Sequence, residues 1–429
     1  MLINKTLKNV IDTTCEKLKK SNKPILAKMF SNCFPNTWET TVKVVGERDT
    51  FVITGDIPAM WLRDSAAQVN HYLPYAKDDD EIYNVIVGII NRYALYLSKD
   101  PYANAYNETD NDHGYSTDIT LRSPWVWERK YEVDSLCSVI ALPYKLYKHT
   151  GKSDFFSKKL KNAFNTILDL WTVEQNHAEK SKYTFFRANT HDELDNMPLQ
   201  GKGNPTGYTG MTWSGFRPSD DACTYNYLIP SQMYAVVVLG YLQEIFADIY
   251  KDTALSEKAS ALCKQIDGGI KEFGIFKHDK YGDIFKFEVD GLGNYLLMDD
   301  ANSPSLLSAP YIGYCSANDA TYLNTRKFIL SSDNPFFYSG TAITGVGSPH
   351  TKKGTVWPIA LIMQGLTSND VGEIENILDT LSKTHANTYF MHESIDCNNQ
   401  EIFTRKWFAW ANSLFSELVL KYINLIEMV

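Results

Sequence analysis

An all-α fold, six helical hairpins closed into two concentric rings as an (α/α)6 barrel, is predicted by three features of this sequence. Apolar residues recur at helical spacing along most of the chain; about twelve such stretches occur; and no linker, low-complexity run or fixed-period repeat divides them. Stripes at i, i+3, i+4 and i+7 mark helices with one apolar face, whereas strands alternate every second residue. Every such face must be buried, and two concentric layers bury twelve of them together. A solenoid would need a period of roughly 20–50 residues, which is absent. The chain, 1–429, is therefore expected to form one domain.

The helical stretches lie near 3–20, 59–75, 79–98, 132–150, 153–176, 230–250, 253–273, 304–314, 317–330, 355–367, 370–386 and 406–425. Residues 79–98 show the pattern best, with Ile82, Val85, Ile86, Ile89, Ile90, Tyr93 and Leu97 on one face. Pro230 and Asp370 supply helix-start chemistry. Two stretches read as small β-hairpin insertions: 40–54 around Gly46–Asp49, and 283–298 around Asp290-Gly291. The irregular segments 100–131 and 178–226 are too long for plain connections. Their Trp, Tyr, Asp and Asn content suits the walls of a site at one end of the barrel.

Composition narrows the function. The net charge of −9 and the lack of a basic block argue against nucleic acid. No stretch of about 20 apolar residues is present, so no membrane span is expected. Neither is a secretory signal, because Met1–Leu7 is followed by no apolar core and cleavage site. Seven scattered cysteines without a CxxC pair read as reduced thiols, hence a cytoplasmic protein. The 9 Trp, 26 Tyr and 21 Phe suit either a large aromatic core or stacking on the flat faces of sugars.

Several segments combine residue types that can do chemistry. In Thr54–Ser65, Arg63 and Asp64 offer a donor and an acceptor suited to sugar hydroxyls, or else Arg63 makes a surface pair while Asp64 and Ser65 cap a helix. In Gly215–Asp221, burial and the adjacent Asp221 could keep Asp220 protonated, as a general acid must be; an exposed turn is the plainer alternative. Glu393, beside His392 and followed by aromatics, could activate water or cap a helix. Asp299 and Asp300 could bind hydroxyls or cap the next helix, and His350 precedes a Trp357-Pro358 helix start. His177 and His191-Asp192-Glu193 fit no usual metal spacing. There is no GxSxG elbow, HExxH helix, P-loop or GxGxxG, so no cofactor or metal is expected.

Taken together, these segments resemble glycoside hydrolase family 125, the bacterial and fungal exo-α-1,6-mannosidases. The resemblance is carried by TGDIPAMWLRDS (54–65), SPWVWERKYEVDSLC (123–137), GFRPSDDACTY (215–225), MDDANSPSLL (298–307), GTVWPIALIMQGL (354–366) and MHES with FTRKWFAWANSLF (391–415). It implies an (α/α)6 barrel, no metal, and inverting hydrolysis of terminal α-1,6-linked mannose from oligosaccharides such as N-glycan fragments. It puts the general acid on Asp220 and the general base on Glu393, with Arg63, Asp64, Asn302 and His350 gripping the sugar. The alternatives are another inverting glycosidase or a sugar epimerase on the same barrel, a calcium-dependent mannosidase, or a protein that binds glycans without cleaving them. An inverting acid and base should also have split pKa values, with that of Asp220 raised.

Overall fold

The computed structural model describes residues 1–190 and 193–427. Helices α1 (Lys5–Lys20), α2 (Pro24–Cys33), α3 (Leu62–Asn70), α4 (Asp80–Leu97), α5 (Val133–Thr150) and α6 (Lys158–Glu174) fill the first part of the chain. Two single turns follow, α7 (His177–Lys180) and α8 (Pro198–Gly201). Then come α9 (Ile229–Glu244), α10 (Thr253–Phe273), α11 (Ala309–Ile312), α12 (Ala320–Ile329), α13 (Pro358–Leu366), α14 (Val371–Lys383) and α15 (Ala409–Ile426). Many begin where a short polar side chain satisfies a free backbone N–H: Asn4 at α1, Asp79 at α4, Ser157 at α6, Asp252 at α10 and Asp370 at α14. Others, such as α9 and α13, begin with proline in the first turn.

The helices divide by burial. Seven of the nine residues of α13 are buried, against five of the 21 in α10, so α13 lies inside and α10 outside. On the inside, α3 packs on α5, α5 on α9 and α9 on α11; α13 packs on α15, which returns to α3. On the outside, α4 packs on α6 and α6 on α10, while α14 packs on α2. One apolar core runs from Leu7 to Ile423. The chain is thus helix-rich with small sheets. Among the described residues, no helix is long and apolar enough to cross a membrane, and all seven cysteines are free.

The hairpin expected at 40–54 is present as Val42–Gly46 against Asp49–Val52. It lies on α4 where Gly88 leaves room; a Cβ there would sit 2.3 Å from Thr50 Oγ1. The second hairpin is divided. Gly282–Phe285 pairs with Ile275–His278, while Glu288–Val289 pairs with both Tyr295–Leu296 and Tyr227–Leu228. Two helix expectations also change. Helix α2 was absent from the sequence-based set. The stretch expected as a helix at 304–314 is helical only at α11, because Ser305 and Ser308 bond each other's backbone N–H through their hydroxyls. Such local bonds compete with the helical ladder.

Candidate active site

A cavity of about 360 Å³ is bordered by all six residues that the family resemblance implicates: Arg63, Asp64, Asp220, Asn302, His350 and Glu393. That volume falls in the ordinary range for small-ligand sites. The two long irregular segments supply much of its wall, as expected, through Tyr115, Glu128, Lys130, Arg187, Asp195 and Asp220. A small sheet brings them in: Met60–Trp61 pairs with Ala105–Tyr106, which pairs with Val126–Glu128. The first turn of α3 is thereby set beside the start of α5.

Arg63 is the charge centre. It is buried, and its Nη1 donates to Glu132 Oε2 at 2.6 Å and Asp134 Oδ2 at 3.0 Å. Its Nη2 lies 3.6 Å from Asp64 and 4.0 Å from Asp220, and its guanidinium sits 5.5 Å from the Trp410 ring centroid. This is no surface pair. Ser65 caps nothing either; its hydroxyl turns back to the Trp61 and Leu62 carbonyls. Burial pushes the Asp64 carboxyl up to about 6, against the opposing pull of Arg63. Asp64 Oδ2 and Asn302 Nδ2 are buried and make no hydrogen bond within the protein, although Arg63 Nη2 stands 3.6 Å from that Asp64 oxygen. An orphaned acceptor and an orphaned donor on one cavity wall are costly unless something binds there.

Asp220 stands at the tip of a tight loop closed by the Phe216–Ala222 bridge, with Asp220 N–H donating to the Arg217 carbonyl at 2.9 Å. Its φ of +67° is left-handed, a strained conformation for a non-glycine residue that often marks a functional position. Arg217 anchors the loop through Glu288 at 2.5 Å. Lys130 Nζ donates to the Asp220 carbonyl at 2.7 Å, and Asn104 Nδ2 to Asp220 Oδ1 at 3.1 Å.

The expected upward shift of Asp220 does not occur. Burial raises its pKa, but Lys130, Arg63 and a hydrogen bond from Glu132 outweigh that and hold it below the usual carboxylate value. Glu132 is the carboxyl pushed far up, by burial and by Asp220 beside it. Nor does the sequence neighbour Asp221 act on Asp220 as expected. It turns away and bonds His350 Nδ1 at 2.8 Å. Burial pulls His350 down, but the bond and charge of Asp221 prevail and lift it to about 9, so the ring is a cation at neutral pH.

Glu393 is buried on the segment that pairs Ile395 with Val356, and Arg405 Nη1 is 3.5 Å from its Oε1. His392 beside it is structural, stacked on Phe403 and bonded to the Arg405 carbonyl. Asp299 caps a turn, accepting from the Leu306 and Leu307 N–H groups. His177 bonds Glu174 and stacks on Trp213; His191 and Asp192 lie outside the described residues.

Residues 23–420 match the family model of the metal-independent α-mannosidases, GH125. The chain belongs to this family. It is a glycoside hydrolase. An α-mannosidase from Streptococcus pneumoniae, solved in a non-productive substrate complex with α-1,6-mannobiose, is 46% identical, with a TM-score of 0.96 over 99% of this chain and 100% of that one. The meiotically up-regulated gene 157 protein of Schizosaccharomyces pombe is 40% identical over 98% of this chain and 86% of its own length. A bacterial glucoamylase complexed with acarbose shares the fold alone, at 12% identity and a TM-score of 0.58 over 96% of this chain and 57% of that one.

Other charged residues of this GH125 cavity were not singled out in the sequence. Lys130 lies 3.1 Å from Asp195 and 4.0 Å from Glu128. Arg187 joins Asp118, Glu128 and Asp195. Arg405 pairs with Asp56, which is held close because Gly55 bridges to Phe408. A Cβ at Gly55 would meet the Trp407 carbonyl at 2.6 Å. Glu132, Lys130 and Arg405 sit inside the family-like segments 123–137 and 391–415. Their surroundings, which only the closed fold supplies, give them their importance.

Proposed function

We propose that the chain is an inverting exo-α-1,6-mannosidase, folded over 1–429 as a single (α/α)6 barrel. Its substrate is a terminal, non-reducing α-1,6-linked mannose on an oligosaccharide such as an N-glycan fragment. The observation that carries the reading is one cavity bordered by both Asp220 and Glu393, from distant parts of the chain. It occurs in a chain 46% identical to an α-mannosidase solved with α-1,6-mannobiose. Alternating inner and outer helices, with α15 returning to α3, support the barrel. Arg63 and Trp410 also border a smaller cavity of about 60 Å³, so they partition the interior and suit a dead-end pocket for one terminal sugar.

In this reading Asp220 protonates the glycosidic oxygen as its bond to the anomeric carbon breaks. Glu393 takes a proton from the water attacking the opposite face. A single displacement requires the two carboxyls roughly 6.5–9.5 Å apart, leaving room for that water. Arg63, Asp64, Asn302 and His350 grip the sugar from the cavity wall, Asp64 and Asn302 supplying an acceptor and a donor for its hydroxyls, while the His350 cation and Arg63 also hold the surrounding carboxyls in place. We assign a cytoplasmic location, with no nucleic-acid or membrane partner.

Proton NMR of α-1,6-mannobiose hydrolysis tests the proposal. First-formed β-mannose is expected. First-formed α-mannose refutes inversion, and release of no mannose favours a glycan-binding protein.

A further inference from the structure

We propose that Glu132 stores the proton that Asp220 delivers: the two carboxyls hold one proton between them, on Glu132 in the free enzyme and on Asp220 once substrate fills the pocket. This rests on the reading of Asp220 as general acid.

Glu132 precedes the first residue of α5 and its side chain is fully buried. Its Oε2 accepts from Arg63 at 2.6 Å and from Ser135 Oγ at 2.6 Å. Its Oε1 is buried with no donor facing it. A carboxylate oxygen left so is costly, whereas a protonated one donates. Asp220 lies against the same guanidinium, 4.0 Å from Arg63 Nη2, and is the acceptor to which that proton passes. Asp220 is fitted to accept. Asn104 binds Glu128 through its N–H group at 3.0 Å and takes the Lys130 N–H on its oxygen, so its amide faces Asp220 as a donor.

The charges around the pair point the same way. Arg63 and Asp64 face it from α3; Glu128, Lys130 and Asp134 from the 126–134 segment; His350 from the loop before α13. Arg187 pairs with Glu128 and Asp195, and Asp195 pairs in turn with Lys130. Arg405 and Glu393 complete the cavity wall beyond Asp64 and His350. With Asp221, which holds His350, eight carboxyls (Asp64, Glu128, Glu132, Asp134, Asp195, Asp220, Asp221 and Glu393) face five cations (Arg63, Lys130, Arg187, His350 and Arg405), so full ionisation leaves uncompensated negative charge. Retaining one proton relieves this, and coupled carboxyls titrate as a pair.

The Asp220 side chain is 30% exposed, through the cavity. Substrate removes that water and raises the proton affinity of Asp220. The Glu132 proton moves to Asp220, and the Asp220 proton goes to the glycosidic oxygen as the C–O bond breaks. Glu132 becomes a carboxylate paired with Arg63. Glu393 gains the proton of the attacking water, and solvent returns it to the pair. Glu132 is a positioning residue in this scheme and touches no substrate.

The test is Glu132→Gln, which keeps the shape and the Arg63 bond but stores no proton. Its kcat/KM is followed against pH on α-1,6-mannobiose and on 2,4-dinitrophenyl α-mannoside, whose leaving group needs no acid. On mannobiose at pH 7 a loss of about 100-fold is expected, with the basic limb moved to lower pH by about one unit or more. On the dinitrophenyl substrate, activity should stay near that of the parent. An unmoved limb, or equal loss on both substrates, overturns the proposal. Asp220→Ala run alongside separates the two claims, since equal loss on both substrates in that variant sinks the acid assignment itself. A neutron map of the unsubstituted protein at pH 7 decides the matter if Glu132→Gln does not fold. A deuteron on Glu132 Oε1 supports the proposal, and two bare carboxylates overturn it.

Discussion

Replacing Arg63 by methionine should destabilise the protein strongly, and more so as pH rises. Arg63 is the cation shared by Glu132, Asp134, Asp64 and Asp220, at 2.6, 3.0, 3.6 and 4.0 Å. Methionine fills part of the volume and supplies no charge. Removing one partner of a buried ion pair costs about 3–5 kcal/mol, because the other partner remains buried and unpaired. For a chain of this length the unfolding entropy converts that to a fall in Tm of roughly 3–6 °C. The pH dependence follows from the carboxyls. Asp64 already has a folded pKa raised from 3.8 to about 6, and burial also raises those of Glu132 and Asp134. A carboxyl with a raised folded pKa binds protons more tightly in the native state, so stability falls as pH climbs toward that folded value. Without Arg63 the folded values rise further, and the fall extends to higher pH. The deficit of Arg63→Met relative to the parent should therefore be small at pH 5 and largest near pH 8. Thermal unfolding of both proteins at matched scan rates reads it out. A deficit below about 1 kcal/mol, or one that shrinks with rising pH, would refute the claim that Arg63 holds these carboxyls together.

Three further outcomes are expected. Asp220→Ala should lose about 10²–10⁴-fold in kcat/KM on α-1,6-mannobiose but far less on an activated aryl α-mannoside; equal losses count against its role as acid. Asp64→Asn should remove the part of the stability loss between about pH 4 and 6 that Asp64 contributes, roughly 3 kcal/mol given its rise to about 6 in the folded protein. An unchanged stability–pH curve would show that Asp64 does not titrate there. EDTA should leave mannosidase activity intact, as membership of a metal-independent family requires, and loss of activity restored by calcium would contradict it.

Long, strongly periodic helices were legible in the sequence. Asp80–Leu97 carries its apolar stripe openly, and Asp370 announces α14. Shorter elements were decided by competition that spacing does not display. Ten-residue α2 is held by packing on α1 and α15, and the 304–308 stretch is diverted by serine hydroxyls. For the site, residue types alone left Asp220 and Glu393 balanced against caps and turns; the family-like segments singled them out, and the fold brings both to one cavity. What no sequence argument delivered was the direction of the Asp220 pKa. Adjacency suggested that Asp221 would raise it. The left-handed backbone at Asp220 instead sends the two side chains apart, Asp221 to His350 and Asp220 toward Lys130, Asn104 and Glu132. A side chain's charge environment is set by what the closed fold packs against it, and the partners that matter here lie 88 to 157 positions away in number, on α3, the 126–134 segment and the loop before α13. The proton expected on Asp220 therefore has a different resting place. An acid that looks too strong for its task in the free enzyme remains competent when a buried neighbour keeps the proton within one hydrogen bond.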